Sequence, residues 1–163
     1  MRKYIKQNKS AGIGLIEIII ASAIIAIALS ALAGLGNFSL KIQNRLQKNT
    51  AASYLASEAI EAARAVKDES WSNLSGLPTD TALFPAQSGN PAKWVFSTGS
   101  ETIGNFSRQI IISNVNRDAN DDVAQSGGVL DSNTKKITAT IYWSEQGQNQ
   151  QLSLSTYLTN WQP

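Results

Sequence analysis

Residues 12–40 read GIGLIEIIIASAIIAIALSALAGLGNFSL, an apolar run in which Glu17, at the entrance, is the one charged side chain. About 20 apolar residues cross a bilayer as a helix, and residues 18–40 are enough to do so. The carboxylate needs a reason. At the bilayer centre a charge costs roughly 2.5–3.5 kcal/mol, and nearer an end it costs less but still prefers a partner. Ahead of the run, residues 1–12 carry Arg2, Lys3, Lys6 and Lys9 and no acid. A leader of that charge holds the N-terminus on the cytoplasmic side and sends the chain beyond Lys41 outside. Ordinary secretory processing predicts a shorter apolar stretch, about 7–15 residues, with a small-residue cleavage site on its far side. Lys41, Gln43, Asn44 and Arg45 stand there instead, so the apolar segment is read as staying in the protein.

Beyond the run the helix pattern continues. From 41 to 67 there is neither Pro nor Gly, while Leu46, Ala52, Leu55, Ala56, Ala59, Ile60, Ala63 and Val66 recur at three- and four-residue steps, as in an amphipathic helix. Lys48, Glu58, Glu61, Arg64 and Lys67 occupy the other faces, which suits a solvated or partner-facing surface. One helix is therefore expected from about residue 13 to about residue 68, its first half suited to lipid or to a core of packed helices, its second half to a globular head. Gly34-Leu35-Gly36-Asn37 is its weak point. Each glycine costs roughly 0.5–1 kcal/mol against Ala, so the pair could let the helix unwind. Alternatively, with Ala21, Ala23, Ala26, Ala28, Ala31 and Ala33, it lets neighbouring helices approach closely.

After Ser70 the pattern changes. Pro78, Pro85, Gly89 and Pro91 mark irregular chain, and strand-like runs come after them at 93–97, 106–113, 136–143 and 151–158. The last two alternate, with Ile137, Ala139, Ile141 and Trp143 on one face and Leu152, Leu154, Thr156 and Leu158 on one face of the partner, and residues 145–149 between them. That is a hairpin. Packed on the apolar stripe of the helix, such a sheet makes an α+β fold, a long N-terminal helix against a small antiparallel β-sheet head. Trp71, Trp143 and Trp161 are expected as core anchors, and Trp94, in a loop-rich stretch, as the tryptophan free to meet a partner.

Composition excludes several chemistries. The chain has no His and no Cys, so a Ser-His-Asp set and a Cys nucleophile are both impossible. A formal net charge of +2 is too small to argue for nucleic acid. Asp118, Asn120 and Asp122 imitate the start of a calcium loop, but Val123 stands where that loop needs Gly and Val129 where it needs Glu. A solvated turn accounts for the cluster, and no cofactor or metal is expected.

The basic leader, Gly12-Ile13-Gly14-Leu15-Ile16-Glu17 and the apolar run together resemble the class III signal of type IV prepilins and pseudopilins. There a short basic leader ends in Gly, cleavage occurs after it, and Glu stands fifth in the mature chain. The resemblance places the cut between Gly12 and Ile13; a cut after Gly14 would leave Glu17 third. Most of the family begins with Phe, then Thr or Ser, whereas this chain has Ile13 and Gly14. The likeness covers the first seventy residues and, more loosely, the tail from Leu154 to Trp161. It implies residues 1–12 as leader, 13–70 as a helix of which about 15–40 spans the membrane, and 71–163 as head. It also implies a new α-amino group on Ile13 that is methylated, a pairing role for Glu17 in a filament core, and packing between subunits through Leu15, Ile16 and the apolar face beyond them. The implied function is structural, that of a minor pilin. A pseudopilin of a type II secretion or competence system, or an unprocessed single-pass binding module, stand as alternatives. The implied partners are other pilin subunits, the prepilin peptidase, the inner-membrane assembly platform and, before assembly, membrane lipid. The implied location is the inner membrane with the head outside, then the extracellular filament.

Overall fold

The computed structural model describes residues 14–124 and 126–161. With no proline before Pro78, helix α1 runs Leu15–Glu69 and stays continuous through Gly34 and Gly36. Ser70, in extended conformation, ends it and leads into a short helix α2, Trp71–Ser75. Six strands come next: β1 Ala82–Ser88, β2 Lys93–Thr98, β3 Glu101–Ile103, β4 Phe106–Arg117, β5 Val129–Glu145 and β6 Gln148–Thr159. They form one antiparallel sheet in the order β2-β1-β4-β5-β6, with β3 beside β4. The chain divides into two units after Leu46, and the hydrophobic core lies wholly in the second.

Alternation builds that core. Ile110 and Ile112 of β4, Ile137, Ala139 and Ile141 of β5, and Leu83 of β1 are at most 1% exposed. Opposite them α1 presents Ala52, Ala56, Ala59, Ile60, Ala63 and Val66 in the same cluster, while Leu74 and Trp71 of α2 cover its end. Alanine at the contact lets helix backbone and sheet approach closely, and interiors so packed have no spare volume. Ala56→Leu, at a position with no exposure, is therefore expected to cost about 1–3 kcal/mol, read by denaturant unfolding.

The α+β architecture matches the sequence expectation, and several details differ. The hairpin turn is tighter: the ladder closes at Glu145↔Gln148, leaving Gln146 and Gly147, both at positive φ, as a two-residue turn whose twist suits antiparallel strands. Residues 82–88 form a strand despite Pro85. β1 pairs with β4 only at Ala82 and Leu83, so by Pro85 it is bonded on one side alone, where a missing N–H is tolerated. Trp161, expected in the core, is 72% exposed, because it lies past Thr159, the last paired residue of β6. Trp94, expected free, packs with Phe96 of β2 against the core. Leu154 is 40% exposed, since β6 ends the sheet.

Candidate functional site

The carbonyl of Gly14 starts α1, accepting the backbone N–H of Glu17 at 2.9 Å and of Ile18 at 3.3 Å. Glu17 thereby falls in the first turn, where unsatisfied N–H groups favour a carboxylate by about 0.3–1 kcal/mol. The helix start thus supplies one local reason for an acid here. Among the described residues nothing else pairs with this carboxylate. Leu15 is 78% and Ile16 67% exposed, and every residue from 14 to 40 is exposed. Gly12 and Ile13, the two expected processing residues, lie outside the described residues.

Two hydroxyls inside the apolar stretch are satisfied by the helix itself. Ser22 donates to the Ile19 carbonyl at 2.9 Å and Ser30 to the Ala26 carbonyl at 2.8 Å, so neither hydroxyl needs water, as hydrocarbon surroundings demand. Among the described residues α1 is the one helix long and apolar enough to cross a membrane. An apolar surface of this extent belongs against lipid or against other helices rather than in water. Gly34 and Gly36 have open space around the position of a Cβ, so nothing among the described residues requires glycine there.

Two clefts of the head are lined by described residues. The larger, about 690 Å³, lies where β4 and β5 shift register between Asn114 and Val115. Asp131 anchors it: one carboxylate oxygen accepts from Arg117 Nε at 2.7 Å and from the Thr134 hydroxyl at 2.6 Å, and the other accepts from the Asn133 N–H at 2.8 Å. Around this polar cluster Val129, Leu130 and Trp161 are exposed. The smaller, about 360 Å³, is lined by Phe106, Tyr142, Trp143 and Asn149 among others, and among the described residues the buried Trp143 Nε1 has no hydrogen-bond partner.

The Asp118–Asp122 cluster is organised as a turn. One Asp118 oxygen accepts the N–H groups of Asn120 at 2.8 Å and Asp122 at 3.0 Å, and Arg117 Nη1 donates to the Asp121 carbonyl at 2.7 Å. Among the described residues no three or more His, Cys, Asp or Glu side chains are grouped to hold a metal. Sequence reasoning missed the Arg117–Asp131 pair, because Asp131 sits in a stretch, Asp131-Ser132-Asn133, that reads as a turn.

Asp131 carries a pH prediction. The Thr134 hydroxyl, and next the Arg117 guanidinium, hold its carboxyl well below the usual range, at about 2. A folded-state value lowered in this way stabilises fully above the unfolded value, near about 4, and the contribution disappears as pH falls through the folded one. In thermal unfolding the gap between the wild type and Asp131→Asn is expected to be constant down to about pH 4 and to close between about pH 4 and pH 2. A gap that persists at the acid end would remove the assigned pairing.

Residues 7–33 match the family model described as the prokaryotic N-terminal methylation motif. No curated protein and no solved structure matches the chain. The matched segment contains the start of α1 and Glu17. It is the class III signal of type IV pilins, and it supports a pilin-like or pseudopilin subunit anchored by an apolar helix.

Proposed function

We propose that the chain is a minor subunit of a type IV pilus-like filament, cut by the prepilin peptidase between Gly12 and Ile13 and assembled through its N-terminal helix. One observation carries the reading: within the matched segment an acidic first turn opens an apolar helical stretch whose large side chains are all exposed. The basic leader supports an orientation with the N-terminus cytoplasmic and the head outside. Before assembly the first half of α1, about residues 15–40, lies in lipid; afterwards its Ala- and Ile-rich face packs between subunits. Glu17 then neutralises the α-amino group of Ile13 in a core where low dielectric makes an unpaired charge costly. Glycine at position 12 leaves room for a peptidase built around that residue, the new amino group is methylated, and the assembly platform extracts the subunit. The resemblance to minor pilins over the first seventy residues is the ground for that rank. The role is structural rather than catalytic.

Gly12→Val tests the processing step. A side chain at the cleavage position obstructs the peptidase, so membranes should hold a longer precursor that keeps the leader, resolved by gel mobility and intact mass. Mature protein of normal length from this variant would move the cut elsewhere.

A further inference from the structure

β6 forms one edge of the sheet, and it is the strand least protected for that position. β2 carries Lys93, β3 Glu101, β4 Arg108 and Arg117, β5 Asp131, Lys135, Lys136 and Glu145, and β1 carries Pro85. β6 alone, QNQQLSLSTYLT, has neither a charge nor a proline. Its register with β5 runs unbroken from Glu145↔Gln148 to Thr134↔Thr159, without a bulge, and no other described strand pairs with its far side. Natural sheets blunt open edges with charge, proline, bulges or shortness; this edge uses none of them. Leu154 and Tyr157, on opposite faces of the strand, are 40% and 45% exposed along it.

We infer that β6 pairs with β6 of a second copy of this chain, antiparallel about a two-fold axis, so that two sheets become one. Self-pairing sets each residue opposite another of the same strand, where any charge near the middle would meet a like charge. β6 has none to oppose. The sheet's other edge, β2, spans 6 residues against the 12 of β6 and begins at Lys93, whose ammonium pairs with Glu69. A β6–β2 contact would therefore leave half of β6 open. Registers that pair even with even numbers set Leu152, Leu154 and Thr156 together on the helix side and Ser153 and Ser155 together on the other, so both faces continue across the junction. On that other face hydroxyls already couple strands, Thr138 with Ser155 and Thr140 with Ser153, each at 3.0 Å. Two-fold pairing closes on itself, so it is a dimer contact separate from helical assembly and independent of leader cleavage.

The absence of native cysteine makes single-cysteine crosslinking position-specific. Gln151→Cys, Ser153→Cys and Ser155→Cys, all at exposed sites, and Ser97→Cys on β2 as control, are made in the full-length chain, purified in detergent and oxidised with copper phenanthroline. A disulfide-linked dimer is expected at one or more β6 positions, or, where the two-fold axis falls on Leu152 or Leu154, on mixing the Gln151→Cys with the Ser153→Cys chain or the Ser153→Cys with the Ser155→Cys chain, and not at Ser97. No dimer on β6, or an equal yield at Ser97, overturns the inference. Adding Gln151→Lys and Ser155→Lys together to Ser153→Cys is expected to lower the yield roughly tenfold or more, since the register that joins the two 153 positions sets 151 opposite 155 and like charges facing across an interface cost at least one tenfold step in affinity, with the circular dichroism unchanged. An unchanged yield would mean the copies meet through their apolar helices, and the β6 contact would be wrong.

Discussion

Glu17→Leu is expected to be cleaved and membrane-inserted yet missing from sheared surface filaments. Anchoring and assembly make opposite demands on this residue. For insertion, removing a charge from the end of an apolar helix is a gain, and only the first-turn contribution of about 0.3–1 kcal/mol is lost. For assembly, the α-amino charge left in a core of packed helices has no counter-ion, and breaking a buried pair by removing one partner costs about 3–5 kcal/mol. Membrane fractionation and filament shearing read the two outcomes separately. Incorporation at the wild-type level would remove the pairing role from Glu17.

The second large effect lies in the head. Arg108 stands in the inward row of β4, between Phe106 and Ile110, with its side chain 3% exposed. It donates through Nη2 to Glu101 at 2.6 Å, and through Nη1 to Glu58 and to the Leu55 carbonyl, each at 3.2 Å, joining β3 and β4 to α1. The double variant Glu58→Gln/Glu101→Gln keeps shape and strands the guanidinium without a counter-charge, an expected loss of about 3–5 kcal/mol. Arg108→Met should cost less, because the carboxylates it abandons are 48% and 31% exposed and can hydrate. Urea unfolding of the detergent-solubilised chain, monitored by tryptophan fluorescence, gives the ranking. A double variant as stable as wild type would show that the carboxylates do not balance Arg108.

What was legible in the sequence were the features that repeat. The helix could be read from about residue 13 to about residue 68, close to the observed Leu15–Glu69, because no proline breaks it, and the inward row of β5 because alternation lasts for several turns of the pattern. β3 spans 3 residues, too few for any period, and Pro85 concealed β1. Arg108 was missed because its partners Glu58 and Glu101 are 50 and 7 residues away, and only the folded sheet brings them onto the helix. Trp94 and Trp161 exchanged their expected roles because burial depends on what lies above a strand end, which local sequence does not encode. At the N-terminal site Glu17 could be picked out from its charge and position, whereas the roles proposed for Leu15 and Ile16 rest on the resemblance. The roles of Gly12 and Ile13 rest on the leader pattern.

Mass spectrometry of the N-terminus of the membrane-extracted chain tests the central claim most directly. A mature chain beginning at Ile13, its α-amino group methylated, is the predicted result. A chain retaining Met1 and the basic leader in the membrane would contradict it.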